Sequence, residues 1–338
     1  MNTVTNVNPD LPHDYLNDGR MQRIWDAVSR SPLRSLWNMQ GVSFKIIVRR
    51  TTKAVFADRL FGRAAELGFY FLFALFPTLL SASSLLGLAA RSADQIYYRL
   101  LHYLALVIPT AALGTVLKTF NETTAAATPG KLTFGLIAAI WSASVGVSAI
   151  QDALNQVYKV QDTRSYVRAR IYAIGLTIVL TMLFTLMLSA MLGGDVIAGI
   201  ASKEIHERII AVSVGTVVRL LGWICAVILL AISFALIYYC APDVKKHRWH
   251  WVTPGSTLGI LGWLVASLGL RLYLHFFNQY SLTYGSLGAV IILLTWFYIT
   301  GLMLLLGAEL NCEIEASVTE LQLEGRLQNA PPSEDGAI

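Results

Sequence analysis

Residues 284–311 read YGSLGAVIILLTWFYITGLMLLLGAELN, and the 23 residues from Ser286 to Ala308 carry no charge. A helix rises about 1.5 Å per residue, so this stretch is long enough to cross a hydrocarbon core of about 30 Å with some tilt. It begins beside Gly285 and Gly288, holds the aromatic trio Trp296, Phe297 and Tyr298 in its middle, and runs out into Glu309 and Asn311. It reads as a transmembrane helix, and the bilayer becomes the solvent against which the rest of the chain is judged.

The totals agree. Of 338 residues 55% are hydrophobic and 14% charged, with a mean hydropathy of +0.56. Soluble domains are nearer a quarter charged and need that polar cover. A protein with a lipid-facing belt does not. Cys225, Cys240 and Cys312 lie in or beside apolar runs, without metal or disulfide spacing.

Six long apolar runs fall at roughly 66–90, 132–154, 171–194, 209–240, 251–272 and 286–308. A seventh, 100–117, holds His102 and Pro109 and sits at the threshold length for spanning. Loop charges decide between six spans and seven. With six spans and the N-terminus inside, 18 Lys and Arg face the cytoplasm and 6 face outward; with seven, the division is 14 to 10. The positive-inside rule favours six spans with both termini cytoplasmic. Segment 100–117 then becomes a re-entrant or interfacial piece of an outer loop, where Pro109 would break a straight helix.

This gives an all-α, multi-pass bundle. Residues 1–32 are expected to be a disordered cytoplasmic tail, 33–63 a basic amphipathic segment, 64–316 the six-helix membrane domain and 317–338 an acidic tail. In 33–63 apolar residues such as Phe44, Ile47, Val55 and Phe56 alternate with Lys45, Arg49, Arg50 and Lys53. That pattern suits a helix lying on an anionic leaflet, or equally one packed on the protein itself. Pro77, mid-way in the first span, predicts a kink. Small residues at 142–148, and Gly255, Gly259 and Gly262 in the fifth span, predict close helix packing.

Four stretches in order resemble the YihY/BrkB family of bacterial inner-membrane proteins. They are Arg63-Ala64-Ala65-Glu66 running into FYFLFALFP (69–77), WSAS…SAIQDALNQVY (141–158), IYYCAPDVKKHRWHWVTPGS (237–256) and YGSLGAVI…LLGAELN (284–311). The resemblance covers about residues 44–316 and implies six helices and cytoplasmic termini. It implies no reaction: one branch is named for serum resistance, and a tRNA-processing ribonuclease label once attached to another is regarded as mistaken.

Nuclease chemistry also finds no support in the residues. Hydrolysis needs clustered metal ligands or a positioned acid and base. His13, His102, His206, His247, His250 and His275 are dispersed, and the close pair His247/His250 sits in a basic, Trp-flanked loop that reads as an interfacial anchor. No catalytic residue, metal or cofactor is expected.

The span-edge charges are more informative. The assigned directions bring Glu66, Asp152 and Glu309, with Asn155 and Asn311, to the cytoplasmic end, and put Arg219 and Arg271 near the outer boundary. The plain reading is snorkelling arginines and acids paired with basic loops around Arg63 and Lys159. The functional reading is a laterally open cavity in which Arg219 and Arg271 contact an anionic ligand or lipid headgroup, closed by the polar cluster. The expected function is non-enzymatic binding or movement of a lipid or other anionic amphiphile. The alternative is a structural or interaction protein of the envelope, with ribonuclease activity a distant third. Expected partners are membrane lipids and no nucleic acid, with homo-oligomers allowed.

Overall fold

The structure is a computed structural model. It describes residues 24, 28, 36, 37, 41–89, 129–204, 208–244, 249–276 and 286–328. Regular structure among these residues is all helical: α1 (Phe44–Ala57), α2 (Leu60–Ala89), α3 (Pro129–Val157), α4 (Tyr166–Glu204), α5 (Arg208–Cys240), α6 (Pro254–Phe276) and α7 (Ser286–Gln328). Helices α3 to α7 each contain a stretch long and apolar enough to cross a bilayer. The first expected span, 66–90, falls on α2, whose backbone is helical on both sides of Pro77. Segment 100–117 and nearly all of 1–32 lie outside the described residues.

Small residues decide which helices meet. Lipid tails are as apolar as leucine, so burial alone does not pull membrane helices together; close backbone approach does. A Cβ on Gly68 of α2 would lie 3.1 Å from the Tyr298 backbone nitrogen of α7, and one on Gly301 would lie 3.0 Å from Leu67 Cβ. A Cβ on Gly255 of α6 would lie 1.9 Å from the Gly307 carbonyl of α7. Helix α7 is thereby clasped between α2 and α6, with α3 behind α2. The core runs through Leu60, Leu67, Leu154, Val157, Leu305 and Ala308. Helices α4 and α5 form a hairpin packed on itself, joined to the centre mainly through α3.

Helix α7 does not stop where the membrane run does. The charge-free part, Ser286–Ala308, suffices to span, yet the helix continues to Gln328. Residues 317–328, expected to begin a tail, are its last turns. Their order has a local cause: Leu310, Ile314 and Val318 recur at i, i+4, i+8 and bury against Leu36, Val42 and Ile47. Arg50 of α1 reaches across to Glu320 at 2.8 Å and to Ser317 at 3.2 Å. Helix α1 thus packs its Ile47–Thr51–Ala54–Val55 face on the protein, while Phe44, Val48 and Phe56 stay exposed.

Candidate functional site

The polar residues gather where α7 leaves the bundle, at the end that holds the start of α2 and α6 and the close of α3 and α5. The first turn of α6 is fully satisfied there. Thr253 caps it: its Oγ1 accepts from the Ser256 N–H, and the Ser256 Oγ accepts from the Thr253 N–H, each at 2.9 Å. Pro254 has no N–H to satisfy. The Gly255 N–H donates to Asn311 Oδ1 at 2.9 Å, and the Asn311 amide donates to Thr253 Oγ1 at 2.9 Å. Tyr238 of α5 adds a hydroxyl bond to the Leu304 carbonyl at 2.8 Å. Asn311 is therefore a buried bracket between helices, with its oxygen and nitrogen both bonded at the start of α6.

Asn155 plays a similar part for the loops. Its carbonyl accepts from the Asp243 N–H at 2.7 Å, and its amide donates to Asp162 at 3.2 Å. Arg164 grips both oxygens of Asp162, at 2.9 and 2.8 Å, and donates to the Ala241 carbonyl at 3.2 Å. The α3–α4 loop is so locked to the α5–α6 loop. Hydrogen bonds from Arg164 hold the Asp162 carboxyl below the usual carboxylate range.

Helix α3 ends in a Schellman turn, with Val160 N–H bonded to the Asn155 carbonyl and Lys159 N–H to that of Gln156. Lys159 occupies its left-handed position, at φ 54°, where glycine is usual. Its amine makes an ion pair with Asp58 at the α1–α2 junction, beside another left-handed residue, Arg59. Burial disfavours the Lys159 ammonium, but the acidic groups around it, Asp58 foremost, together hold its pKa above the usual lysine value.

Glu66 is half-exposed and pairs with Arg63 at 3.1 Å; Arg63 also donates to Gln156. Asp152 is exposed in the field of Glu66, Arg63, Asp162 and Arg164. Glu309 is 0% exposed, and neither carboxyl oxygen has a hydrogen-bond partner. The five polar residues singled out in the sequence thus share one end of the bundle but split between four settings. A partly open pocket there, lined by Tyr158, Tyr238, Thr253, Asn311 and Glu315 among others, measures about 20 Å³. That is room for about one water, far too little for an amphiphile.

Arg219 is exposed on α5 and Arg271 half-buried on α6. The described approach of these two helices is at the polar end, where Gly259 faces Phe234 and Tyr238. Counting along each helix, Arg219 lies about 22 Å and Arg271 about 18 Å from that contact, toward the opposite end. A third arginine escaped the sequence reading, which placed Arg170 in a loop. It stands in the first turns of α4, donating to Ser148 Oγ at 3.2 Å and the Trp141 carbonyl at 3.1 Å, with its guanidinium 4.3 Å over the Trp141 ring. The missed signal was its place five residues into a helix that starts at Tyr166. Among the described residues no group of His, Cys, Asp or Glu could hold a metal ion.

A model of the family described as "Virulence factor BrkB" matches residues 51–331. The chain belongs to the BrkB family. Among similar proteins, "Putative ribonuclease-like protein YfkH" of Bacillus subtilis is 35% identical over 252 residues, covering 74% of this chain and 88% of that protein. "UPF0761 membrane protein Smlt0865" of Stenotrophomonas maltophilia is 29% identical over 272 residues, covering 77% of this chain and 58% of the relative. A UPF0761 membrane protein of Tolumonas auensis is 27% identical over 200 residues, covering 59% and 61%. The chain thus spans most of the Bacillus relative and about three-fifths of the other two. No solved structure matches it. The name of the Bacillus relative is no evidence of ribonuclease activity.

The four stretches that resemble the BrkB family meet in space. Arg63 touches Gln156, and Tyr238, Gly255, Gly307 and Asn311 lie against one another. The polar end is thus the place where the family-like segments of this BrkB protein come together.

Proposed function

We propose that this BrkB-family chain is an inner-membrane protein, with both termini in the cytoplasm, that binds or moves an anionic amphiphile without catalysing a reaction. The observation that carries this reading is where α5 and α6 meet and where each carries its arginine. They approach at the polar end, while Arg219 and Arg271 stand about 20 Å away along the two helices, amid exposed Val217, Leu220, Leu268 and Leu272. Two cations amid exposed aliphatic side chains suit a phosphate-bearing headgroup whose tails remain in the bilayer. The brackets around Asn155 and Asn311 would close the other end. Mass spectrometry of lipids copurified without detergent tests this on the wild type, Arg219→Gln, Arg271→Gln and the double variant, with protein level followed separately. The expected result is loss of an anionic lipid at unchanged protein level. Unchanged lipid, or protein level falling in step with lipid, overturns it.

A second reading, an envelope interaction protein docking through α1, draws on exposed Phe44, Val48 and Phe56 beside Lys45 and Arg49. A preparation free of copurified lipid would favour it.

A further inference from the structure

Glu309 sits at the end of the charge-free run of α7, wholly enclosed, with Leu305, Ala308 and Cys312 of the same helix among the core residues around it. Neither carboxyl oxygen meets a donor. The Cys312 thiol, close by, donates instead to the Val157 carbonyl at 3.0 Å. The charged groups that face Glu309 are Asp58 from the α1–α2 junction, Lys159 from the end of α3, and Glu313 one turn along α7; Arg50 of α1 faces Glu313 in turn. Lys159 is the near cation, and its amine is taken by Asp58. An ionised carboxylate with no hydrogen bond, beside a pair that already neutralises itself and a second acid, has nothing to offset its desolvation. Enclosure without a donor favours the un-ionised carboxyl.

Lys159 gives the second, independent sign. A residue with a Cβ in the left-handed region costs free energy that glycine would not. The position holds lysine, and its amine bonds the Asp58 carboxyl, with Glu309 also in its field.

We propose that Glu309 is a proton-binding site, and that release of its proton draws the Lys159 amine from Asp58 toward Glu309. The two states differ in which carboxyl holds the lysine, and so in how tightly the α1–α2 junction is tied to the end of α3. The proton taken up is balanced by the cation given back to Asp58. This site is separate from Arg219 and Arg271, and its test reads neither lipid nor phenotype.

The test is infrared difference spectroscopy of the full chain in lipid nanodiscs as pH is raised. The wild type is expected to show the carbonyl stretch of a protonated carboxylic acid at neutral pH, shifted in D2O and bleached at higher pH. Glu309→Gln is expected to lack that band and, as a neutral isostere, to melt within about 1 °C of the wild type. A band that persists in Glu309→Gln, or no band in the wild type, overturns the proposal. So does a Glu309→Gln melt lowered by several degrees, which would mean an ionised Glu309 partnering Lys159. Should Glu309→Gln not accumulate, Asp58→Asn replaces it. Freed Lys159 then favours ionised Glu309, so the band bleaches at lower pH than in the wild type; an unchanged or higher bleaching pH refutes the exchange.

Discussion

Lys159 holds two opposed terms in one residue. Its left-handed backbone costs on the order of 1 kcal/mol, while breaking a mostly buried ion pair costs about 3–5 kcal/mol. The pair wins. Lys159→Met, which keeps the strain and strands Asp58, is expected to lose about 3 kcal/mol in a denaturation series. Lys159→Gly loses the same contact but relaxes the turn, and is expected to recover about 1 kcal/mol of that. Adding Asp58→Asn to Lys159→Met is expected to cost less than the two single losses together, as it must if the residues are coupled. Asp162 sets a sign with pH. Its carboxyl is held below the usual range by Arg164, so its contribution is present above the ordinary carboxylate pKa and is lost as pH falls through the lowered value. Melting temperature measured against pH is expected to fall on that acid side, and to fall less in Asp162→Asn.

At the scale of helices, the contact of α6 with α7 depends on the absence of side chains. Gly255→Ala would put a methyl carbon 1.9 Å from the Gly307 carbonyl and 2.6 Å from the Asn311 side chain. Both belong to a rigid helix, so α6 must move away and the Asn311 bracket must open. A loss of at least 3 kcal/mol is expected, at the top of the overpacking range. Gly269 of the same helix faces open space. Gly269→Ala is expected to be neutral or to gain about 0.5–1 kcal/mol from helix propensity. Thermal melts of the two variants side by side check both. The contrast also marks what the sequence could say. Apolar runs and Gly-x3-Gly spacing are local, so the spanning helices and the small-residue face of α6 were legible. The far turns of α7 were not. Glu320 read as part of an acidic tail beginning at 317, because the arginine that receives it lies 270 residues away and leaves no local period. The boundary acids were legible as a group at one end, but not their division: nothing near Asn311 or Glu309 in sequence tells that one caps a helix and the other has no partner.

For the whole molecule, the distribution of Lys and Arg carries a prediction of orientation. A reporter active only in the cytoplasm, fused after Ile338, is expected to be active, and a periplasmic reporter at the same place silent. The opposite pattern would invert the bundle and move the Asp58–Lys159–Glu309 group to the outer side. The belt offers a contrast: Ile224, Ile228, Leu264 and Val265 are all exposed, and with lipid as their solvent they add little to assembly. Ile228→Ala is expected to leave stability within about 0.5 kcal/mol, where an interior Leu305→Ala loses about 2–5 kcal/mol, read by unfolding in nanodiscs.

The unbroken length of α7 has a mechanical consequence. Its 43 residues make a rod of about 65 Å, roughly twice the hydrocarbon thickness. No proline or glycine interrupts it between Ala308 and Glu324, so that stretch has no hinge to absorb rotation. A tilt of about 10° within the bilayer would sweep the far tip sideways by about 6 Å, taking the part held by α1 with it. Whatever leans on the buried half is geared to the surface half, and Arg50 with Glu320 is the coupling pin.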